Sequence, residues 1–205
     1  LLPNIKKTVK KWRNWCTENG MGDIYICYTQ SFEDVDPAYY AMDAAIEFPP
    51  NNTSPLNITK NVKPFTHDFA GQVYDWSLYL KRSATYVPSA YKLFRGVCPS
   101  WDNTARRKNN SVSFMNSSPL GYQQWLIRAS LDTLKRFKNP SEHFVFINAW
   151  NEWAEGAHLE PDAKYGFAWL EATKMALQKI HFFTSLSECF KSADYFILAV
   201  PSAFL

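Results

Sequence analysis

The residues best suited to chemistry lie in one short segment, residues 148–161, which reads NAWNEWAEGAHLEP. Three carboxylates, two tryptophans, two asparagines and a histidine fall within it. Cleaving a glycosidic bond needs a proton donor for the leaving oxygen and a carboxylate that stabilises or attacks the anomeric carbon. Glu152 and Glu155, three positions apart on a tight turn after a strand, therefore predict a catalytic acid/base pair.

The neighbours of these two glutamates fit the same chemistry. Trp rings stack on sugar faces and lower the local dielectric, which raises the pKa of a nearby carboxyl and makes it a usable acid. Gly156 allows a sharp backbone turn beside the ligand. Substrate contacts are predicted for Trp150, Asn151, Trp153 and His158, with a structural loop histidine as the alternative for His158. The competing interpretation of Glu152 and Glu155 is that they cap the next helix or form salt bridges.

Two further segments are expected at the same end of the fold. Trp101, Asp102 and Arg106 follow a predicted strand; Asp102 suits sugar hydroxyls, and an arginine there suits a phosphate or an acidic sugar. A loop salt-bridge network is the alternative. Glu47, at the end of another predicted strand, either points into the site or has a structural role.

Short apolar runs alternate with helical periods along the chain, which favours a parallel sheet with helices packed outside it. The predicted strands are residues 24–28, 44–48, 93–98 and 143–149. Helices are predicted from residue 5 to 16, from 36 onward, and over 72–82, 119–137 and 166–180. Long loops follow the strands. In a (β/α) barrel, the active site is built from the loops at the carboxyl ends of the strands.

Four such units predict an α/β fold that is the C-terminal half of a (β/α)8 barrel, with the N-terminal half expected before Leu1. A doubly wound sheet is the alternative, but no Gly-rich phosphate turn follows any strand. The apolar run from Ile197 to Pro201 is open to two interpretations, an edge strand or the start of another domain.

Composition narrows the function classes. A net charge of +3, from 22 basic and 19 acidic residues, is too balanced to indicate a nucleic-acid partner. The sequence has no run of about twenty apolar residues, so no membrane span is predicted. The scattered cysteines predict free thiols in a cytoplasmic protein, and neither a metal nor another cofactor is expected. The DVD sequence at residues 34–36 matches a D-x-D metal motif, but helix capping by Asp36 explains it better.

Longer motifs add a resemblance. FINAWNEWAEGAHLEPD at residues 146–162 and KYGFAWLEA at 164–172 closely resemble the WbsX-type glycosyltransferase family, which is related to glycoside hydrolase family 99. PSWDNTARR at 99–107 and DAAIEFPP at 43–50 also resemble that family. The resemblance predicts a partial barrel domain over residues 1–182 and leaves 183–205 as an unassigned tail.

The resemblance implies an enzyme that cleaves or transfers a glycosyl group in bacterial polysaccharide (O-antigen or lipopolysaccharide) metabolism. The E-x-x-E motif of family 99 matches Glu152 and Glu155. By that likeness Glu155 is the general acid/base, and Glu152 deprotonates the sugar 2-hydroxyl to give an anhydro-sugar intermediate. Two rivals stay open: a nucleotide-sugar glycosyltransferase, and a glycan-binding barrel without catalysis.

Overall fold

A computed structural model describes residues 4–31, 33–51, 55–64, 66–187 and 196–199, with side chains described up to residue 180. Its helices are α1 (Ile5–Glu18), α2 (Ser77–Ala84), α3 (Thr104–Arg107), α4 (Pro119–Arg136) and α5 (Ala168–Ser187). Its strands are β1 (Cys27–Gln30), β2 (Ala44–Glu47), β3 (Gln72–Asp75), β4 (Leu93–Val97), β5 (Val112–Met115), β6 (Phe144–Ile147), β7 (Asn151–Glu152), β8 (Ala157–His158) and β9 (Phe196–Ala199).

The main sheet has five strands in the order β1-β2-β4-β6-β9, and every neighbouring pair is parallel. Spatial order therefore follows chain order without a reversal. Every carboxyl end lies at the same edge of the sheet, so the loops that follow β4 and β6 emerge side by side. The prediction of an α/β fold with a parallel sheet is confirmed.

One face of this sheet is covered by helices. Because β4 and β6 pair, their residues Val97 and Ile147 lie together on this face. They are buried in a core with Trp125 of α4, Trp169 of α5 and Trp76, which precedes α2. The Trp76 indole N–H donates to the Cys98 carbonyl at 3.1 Å, which ties the start of α2 to the end of β4. These contacts fix the ends of the two strands that carry the loops of interest.

The opposite face of the sheet is also apolar. Phe94 is buried there and contacts Phe144 and Phe146, with ring centroids 5.7 Å and 6.1 Å away. Ala44 and Ile46 of β2 belong to the same cluster. Phe144, Phe146 and Ile46 are only partly buried. Apolar side chains on both faces are typical of a parallel sheet that is buried on both sides.

Two predicted elements were wrong in type because their partners are distant in sequence. The stretch predicted as one helix over 72–82 begins as β3, and α2 starts only at Ser77. The long loop expected after the predicted strand at 93–98 contains α3 and β5. β3 and β5 pair in parallel as a separate two-stranded sheet, a contact that local periodicity does not reveal.

Smaller differences concern boundaries. The first strand runs from Cys27 to Gln30 instead of 24–28. The helix expected from Asp36 is a single 3-10 turn, Pro37–Tyr40, with Asp36 accepting a hydrogen bond from the Ala38 N–H at 2.8 Å. Of the tail, the structure describes 183–187, which continue α5, and β9, which pairs with β6 at the sheet edge. Cys16, Cys27 and Cys98 are free thiols; Cys189 lies outside the described residues.

No helix within the described ranges is long and apolar enough to cross a membrane.

Arg95 lies in the middle of the central strand β4 and is only 3% exposed. Its guanidinium pairs with Glu47 of β2 at 2.6 Å and with Asp132 of α4 at 2.7 Å. It also donates to the Val87 carbonyl at 3.1 Å and lies 4.0 Å from the centre of the Tyr86 ring. A buried guanidinium is tolerated only when carboxylates and acceptors satisfy it, and here these come from three separate segments.

Replacing Arg95 should therefore destabilise the whole sheet. Arg95→Gln leaves the carboxylates of Glu47 and Asp132 without this cation, and breaking a buried pair costs about 3 kcal/mol of unfolding free energy. Urea denaturation followed by circular dichroism measures the change. Arg107→Gln, the same substitution at an exposed position, should change the unfolding free energy by less than about 0.5 kcal/mol. Equal stability of the two variants would contradict this assignment.

Candidate functional site

The candidate site is built from the loops that follow two paired strands. The Asn148 N–H donates to the Val97 carbonyl at 2.9 Å, so the pairing of β4 and β6 extends to their last residues. The Asn148 side-chain amide then donates to the Pro49 carbonyl at 2.7 Å, which attaches the loop after β2. Three strand ends are thus held together where the two predicted site loops, 99–107 and 148–162, begin.

The segment with the two glutamates folds as a tight hairpin. Asn151 pairs with His158, and Glu152 pairs with Ala157, in antiparallel register across β7 and β8. Between them, Trp153–Glu155 forms a 3-10 turn that ends at Gly156, whose φ of +59° is in the left-handed region. The prediction that Gly156 permits a sharp turn is confirmed.

Glu155 lies on the inner side of this hairpin and is buried, with 7% of its surface exposed. Its carboxylate forms an ion pair with the guanidinium of Arg106 from α3. Its backbone carbonyl accepts the Asp102 N–H at 2.7 Å. The Ser100 hydroxyl donates to the next carbonyl, that of Gly156. The two loops are therefore cross-linked, and a salt bridge, the alternative to catalysis, is present at Glu155.

Glu152 and Trp150 face outward more than Glu155 does. Glu152 is half-buried, while Asn151 and Trp150 are exposed. The Trp150 carbonyl accepts the N–H groups of Leu159 and Glu160 at 2.8 Å and 3.2 Å, so the backbone under the indole is held. The hairpin thus presents one half-buried carboxylate and one exposed indole beside the buried Glu155.

Trp153 is exposed but fixed. Its ring stacks on the His158 imidazole, with centroids 3.9 Å apart and planes within 15°. Its indole N–H donates to the Glu160 carboxylate at 2.6 Å. The His158 Nε2 lies 3.1 Å from Asp162 Oδ2. His158 therefore contacts both Trp153 and Asp162, and its predicted substrate contact stays a prediction.

Asp162 anchors the end of this segment. Its second oxygen accepts the N–H groups of Lys164 and Tyr165 at 2.7 Å and 2.6 Å. Burial raises the pKa of this carboxyl, but the hydrogen bonds from Tyr165, His158 and Lys164 outweigh burial and leave the pKa below its usual value. Asp162 is therefore held as the carboxylate.

The remaining predicted residues are placed differently from one another. Trp101 is buried in the helix-side core. The Asp102 carboxylate accepts the Thr104 N–H at the start of α3 and the Ser113 hydroxyl at 3.0 Å. Of the three, Arg106 is the one whose side chain forms an ion pair with a glutamate of the hairpin. The substrate contacts predicted for Trp101 and Asp102 stay predictions.

Glu47 has its partners on the helix side of the sheet. Besides Arg95, it accepts the Gly96 N–H at 3.1 Å. It lines an open cavity of about 560 Å³ together with Gln30, Asp34, Tyr86 and Tyr91. The structure therefore gives Glu47 the structural role that the sequence left as an alternative, and its predicted substrate contact stays a prediction.

In the described part of the chain, no group of three or more His, Cys, Asp or Glu side chains converges so that it could hold a metal ion. In the DVD motif, Asp36 caps a 3-10 turn, as expected. Asp34 accepts hydrogen bonds from Gln30 and Tyr91.

Sequence reasoning missed the residues that hold the site. Ser100 and Asn148 tie the loops together, whereas Asp162 and Glu160 fix His158 and Trp153. Asp162 and Glu160 lie within the motif that carries the family resemblance, so their positions in the sequence were a usable signal. The contacts of Ser100 and Asn148 are long-range and left no local signal.

Comparisons with known proteins point to one family. A family model described as glycosyltransferase WbsX matches residues 1–173. Two curated relatives from Xanthomonas campestris pv. campestris, strains B100 and ATCC 33913, are each 45% identical over 180 residues. Both carry the description "uncharacterized protein WxcX"; the match covers 87% of this chain but 26% of either relative. No solved structure gives a significant match.

The close approach at Gly156 predicts a specific loss on substitution. A methyl group there would lie 2.9 Å from both the backbone N and O of Asp102, whereas at Gly166, with φ of +54°, nothing lies within 4 Å. Gly166→Ala should cost about 1 kcal/mol of stability from left-handed backbone alone. Gly156→Ala should cost about 2 kcal/mol more because the loops are forced apart. Equal unfolding free energies of the two variants in urea would contradict the predicted contact.

The lowered pKa of Asp162 predicts an acid-sensitive hairpin. A carboxyl with a pKa depressed by folding stabilises the native state above its unfolded pKa of about 3.9. That stability is lost as the pH falls through the lower folded pKa. Asp162→Asn should therefore unfold with a shallower dependence on pH between about 5 and 3. The measurement is the urea midpoint at several pH values; an unchanged slope would show that Asp162 does not contribute.

Proposed function

The chain belongs to the glycosyltransferase WbsX family, and from this premise we propose that it forms part of an enzyme that cleaves or transfers a glycosyl group. The observation that carries the proposal is the cross-linked hairpin at the carboxyl ends of β4 and β6. It places Glu152 and Glu155 on one turn, flanked by the exposed rings of Trp150 and Trp153. Carboxylates beside aromatic platforms are what glycoside chemistry requires.

The roles of the two glutamates follow from their surroundings. Glu155 is the proton-transfer residue of the proposed mechanism, the general acid that protonates the leaving oxygen. Its burial supports this role, since burial favours the protonated form of a carboxyl once its cation is moved away. Half-buried Glu152 is the base that takes the proton of a sugar 2-hydroxyl, which gives retention through an anhydro-sugar. This assignment carries the resemblance to family 99 onto the two residues that match its motif.

The fold proposal is a half barrel. Strand order never reverses across the five parallel strands, whereas a doubly wound sheet reverses once. Helices lie on one face, and the apolar cluster of Phe94, Phe144 and Phe146 lies on the other, as in a barrel interior. The chain spans about a quarter of the curated relatives it matches, 26% of either one. We place the other half of the barrel, with further substrate contacts, in the N-terminal region expected to precede this chain.

A nucleotide-sugar glycosyltransferase is the second candidate, favoured by one observation. Arg106, Arg107 and Lys108 are consecutive, exposed cations next to the glutamate hairpin, where a diphosphate could bind. In either case the substrate is a glycan or glycosyl donor. The bacterial relatives and the free thiols support a cytoplasmic role in polysaccharide, including lipopolysaccharide, metabolism.

The decisive test compares carboxamide variants in the full-length protein. Turnover is first sought on a panel of aryl glycosides, oligosaccharides and sugar nucleotides. On the compound that reacts, Glu152→Gln and Glu155→Gln should each lower kcat/KM by at least about 100-fold, because each removes a proton-transfer group. Product analysis then separates hydrolysis from transfer.

Glu171→Gln is the matched control, since Glu171 is an exposed glutamate on the first turn of α5. It should keep the wild-type rate. If both hairpin variants also kept that rate, the two-carboxylate mechanism would be wrong. Glycan binding that survives in both variants, without turnover on any compound of the panel, would establish the non-catalytic barrel instead.

A further inference from the structure

The ion pair between Arg106 and Glu155 is asymmetric in a way that bears on substrate choice. The Glu155 side chain is 9% exposed, whereas the Arg106 side chain is 45% exposed. Solvent and solutes therefore reach the cation but hardly reach the carboxylate. An ion pair with one accessible partner can exchange that partner for an anion from solution.

The surroundings of Glu155 show what the ion pair does. Glu155 interacts with the Arg106 guanidinium from α3 and with the Cys98 thiol, which follows β4. Burial raises the pKa of Cys98, and the negative charge of Glu155 raises it further, so the thiol stays neutral. Arg106 thus contributes a positive charge that favours Glu155 as a carboxylate.

A proton donor cannot act while it is held as a carboxylate. In the proposed mechanism, Glu155 needs a proton when it meets the leaving oxygen. A neutral sugar has no charge with which to compete for the guanidinium. A carboxylate or phosphate on the substrate does, because planar arginine binds both groups through paired hydrogen bonds.

We propose that Arg106 recognises an anionic group, a carboxylate or a phosphate, on the glycan substrate, and that this recognition releases Glu155 for proton transfer. The inference rests on the proposed function for the role of Glu155, but not for the binding of the anion. In the exchange, Arg106 turns from Glu155 to the substrate anion. The buried carboxylate takes up one proton from solvent and later gives it to the leaving oxygen.

Neighbouring cations support an anionic ligand at this position. Arg107 and Lys108 follow Arg106 and are exposed, so the local field favours anions. The backbone of the loop is fixed, since the Asp102 N–H donates to the Glu155 carbonyl and the Asn103 side chain accepts the Val112 N–H at 2.7 Å. Only the Arg106 side chain has to move.

The test measures anion binding to the full-length protein by isothermal titration calorimetry. The probes are glucuronate for a sugar carboxylate, glucose 6-phosphate for a sugar phosphate, and glucose as the neutral control. Arg106→Gln should weaken binding of the preferred anion by about tenfold or more. Arg107→Gln, the same substitution at the neighbouring exposed arginine, should weaken it by less than about threefold.

The competition with Glu155 gives a second readout that a general basic patch would not show. Glu155→Gln removes the competing charge, so it should bind the anion more tightly than the wild type.

Equal weakening by Arg106→Gln and Arg107→Gln, or no tightening in Glu155→Gln, would overturn the proposal. So would glucose binding as well as the anions. These outcomes are independent of turnover. Loss of turnover in Glu152→Gln with no anion selectivity would leave the proposed function standing and remove this inference. Anion binding with the expected selectivity, but without turnover on any glycan, would support the binding of an anion by Arg106 and contradict the proposed function.

Discussion

The buried guanidinium of Arg95 is the constraint from which the rest of the arrangement follows. A charge at 3% exposure in a central strand requires neutralisation, and Glu47 from β2 and Asp132 from α4 supply it. The three elements cannot shift against one another without separating these charges. β4 is thereby fixed in register with its neighbour and in depth beneath α4, so the point at which the loop after β4 leaves the sheet is also fixed.

A second ion pair lies at the carboxyl end of the sheet, and there the acid is the buried partner and the cation the exposed one. At Arg95 the cation is buried, and its two partly buried acids approach from two elements. At Glu155 the acid is buried, and its cation, Arg106, is nearly half exposed. The Arg106–Glu155 pair is therefore more accessible to solutes than the pairs of Arg95. This difference is the basis for our proposal that Arg106 binds the substrate.

Local sequence signals predicted what depends on neighbours along the chain. The parallel sheet, α4, the Gly156 turn and the Asp36 cap all follow from periodicity, glycine conformation or capping chemistry. Pairing between β3 and β5 does not, since about forty residues of chain separate strands that are short and only partly apolar. At the site, the sequence predicted only that Arg106 and Glu155 lie at the same end of the fold. The ion pair between them depends on the packing of two loops. The Glu47 side chain was equally ambiguous, because its direction is decided by a partner, Arg95, on another strand.

Tryptophan illustrates why composition alone cannot assign a role. Trp76, Trp101, Trp125 and Trp169 are buried in one core, while Trp12, Trp15, Trp150 and Trp153 are exposed. Only the last of these exposed rings is both stacked on an imidazole and hydrogen-bonded through its indole N–H. An aromatic ring fixed before a ligand arrives loses little conformational entropy on binding. The Trp153 ring, one residue from Glu152, is fixed by His158 and Glu160, and for this reason we propose it as a sugar platform.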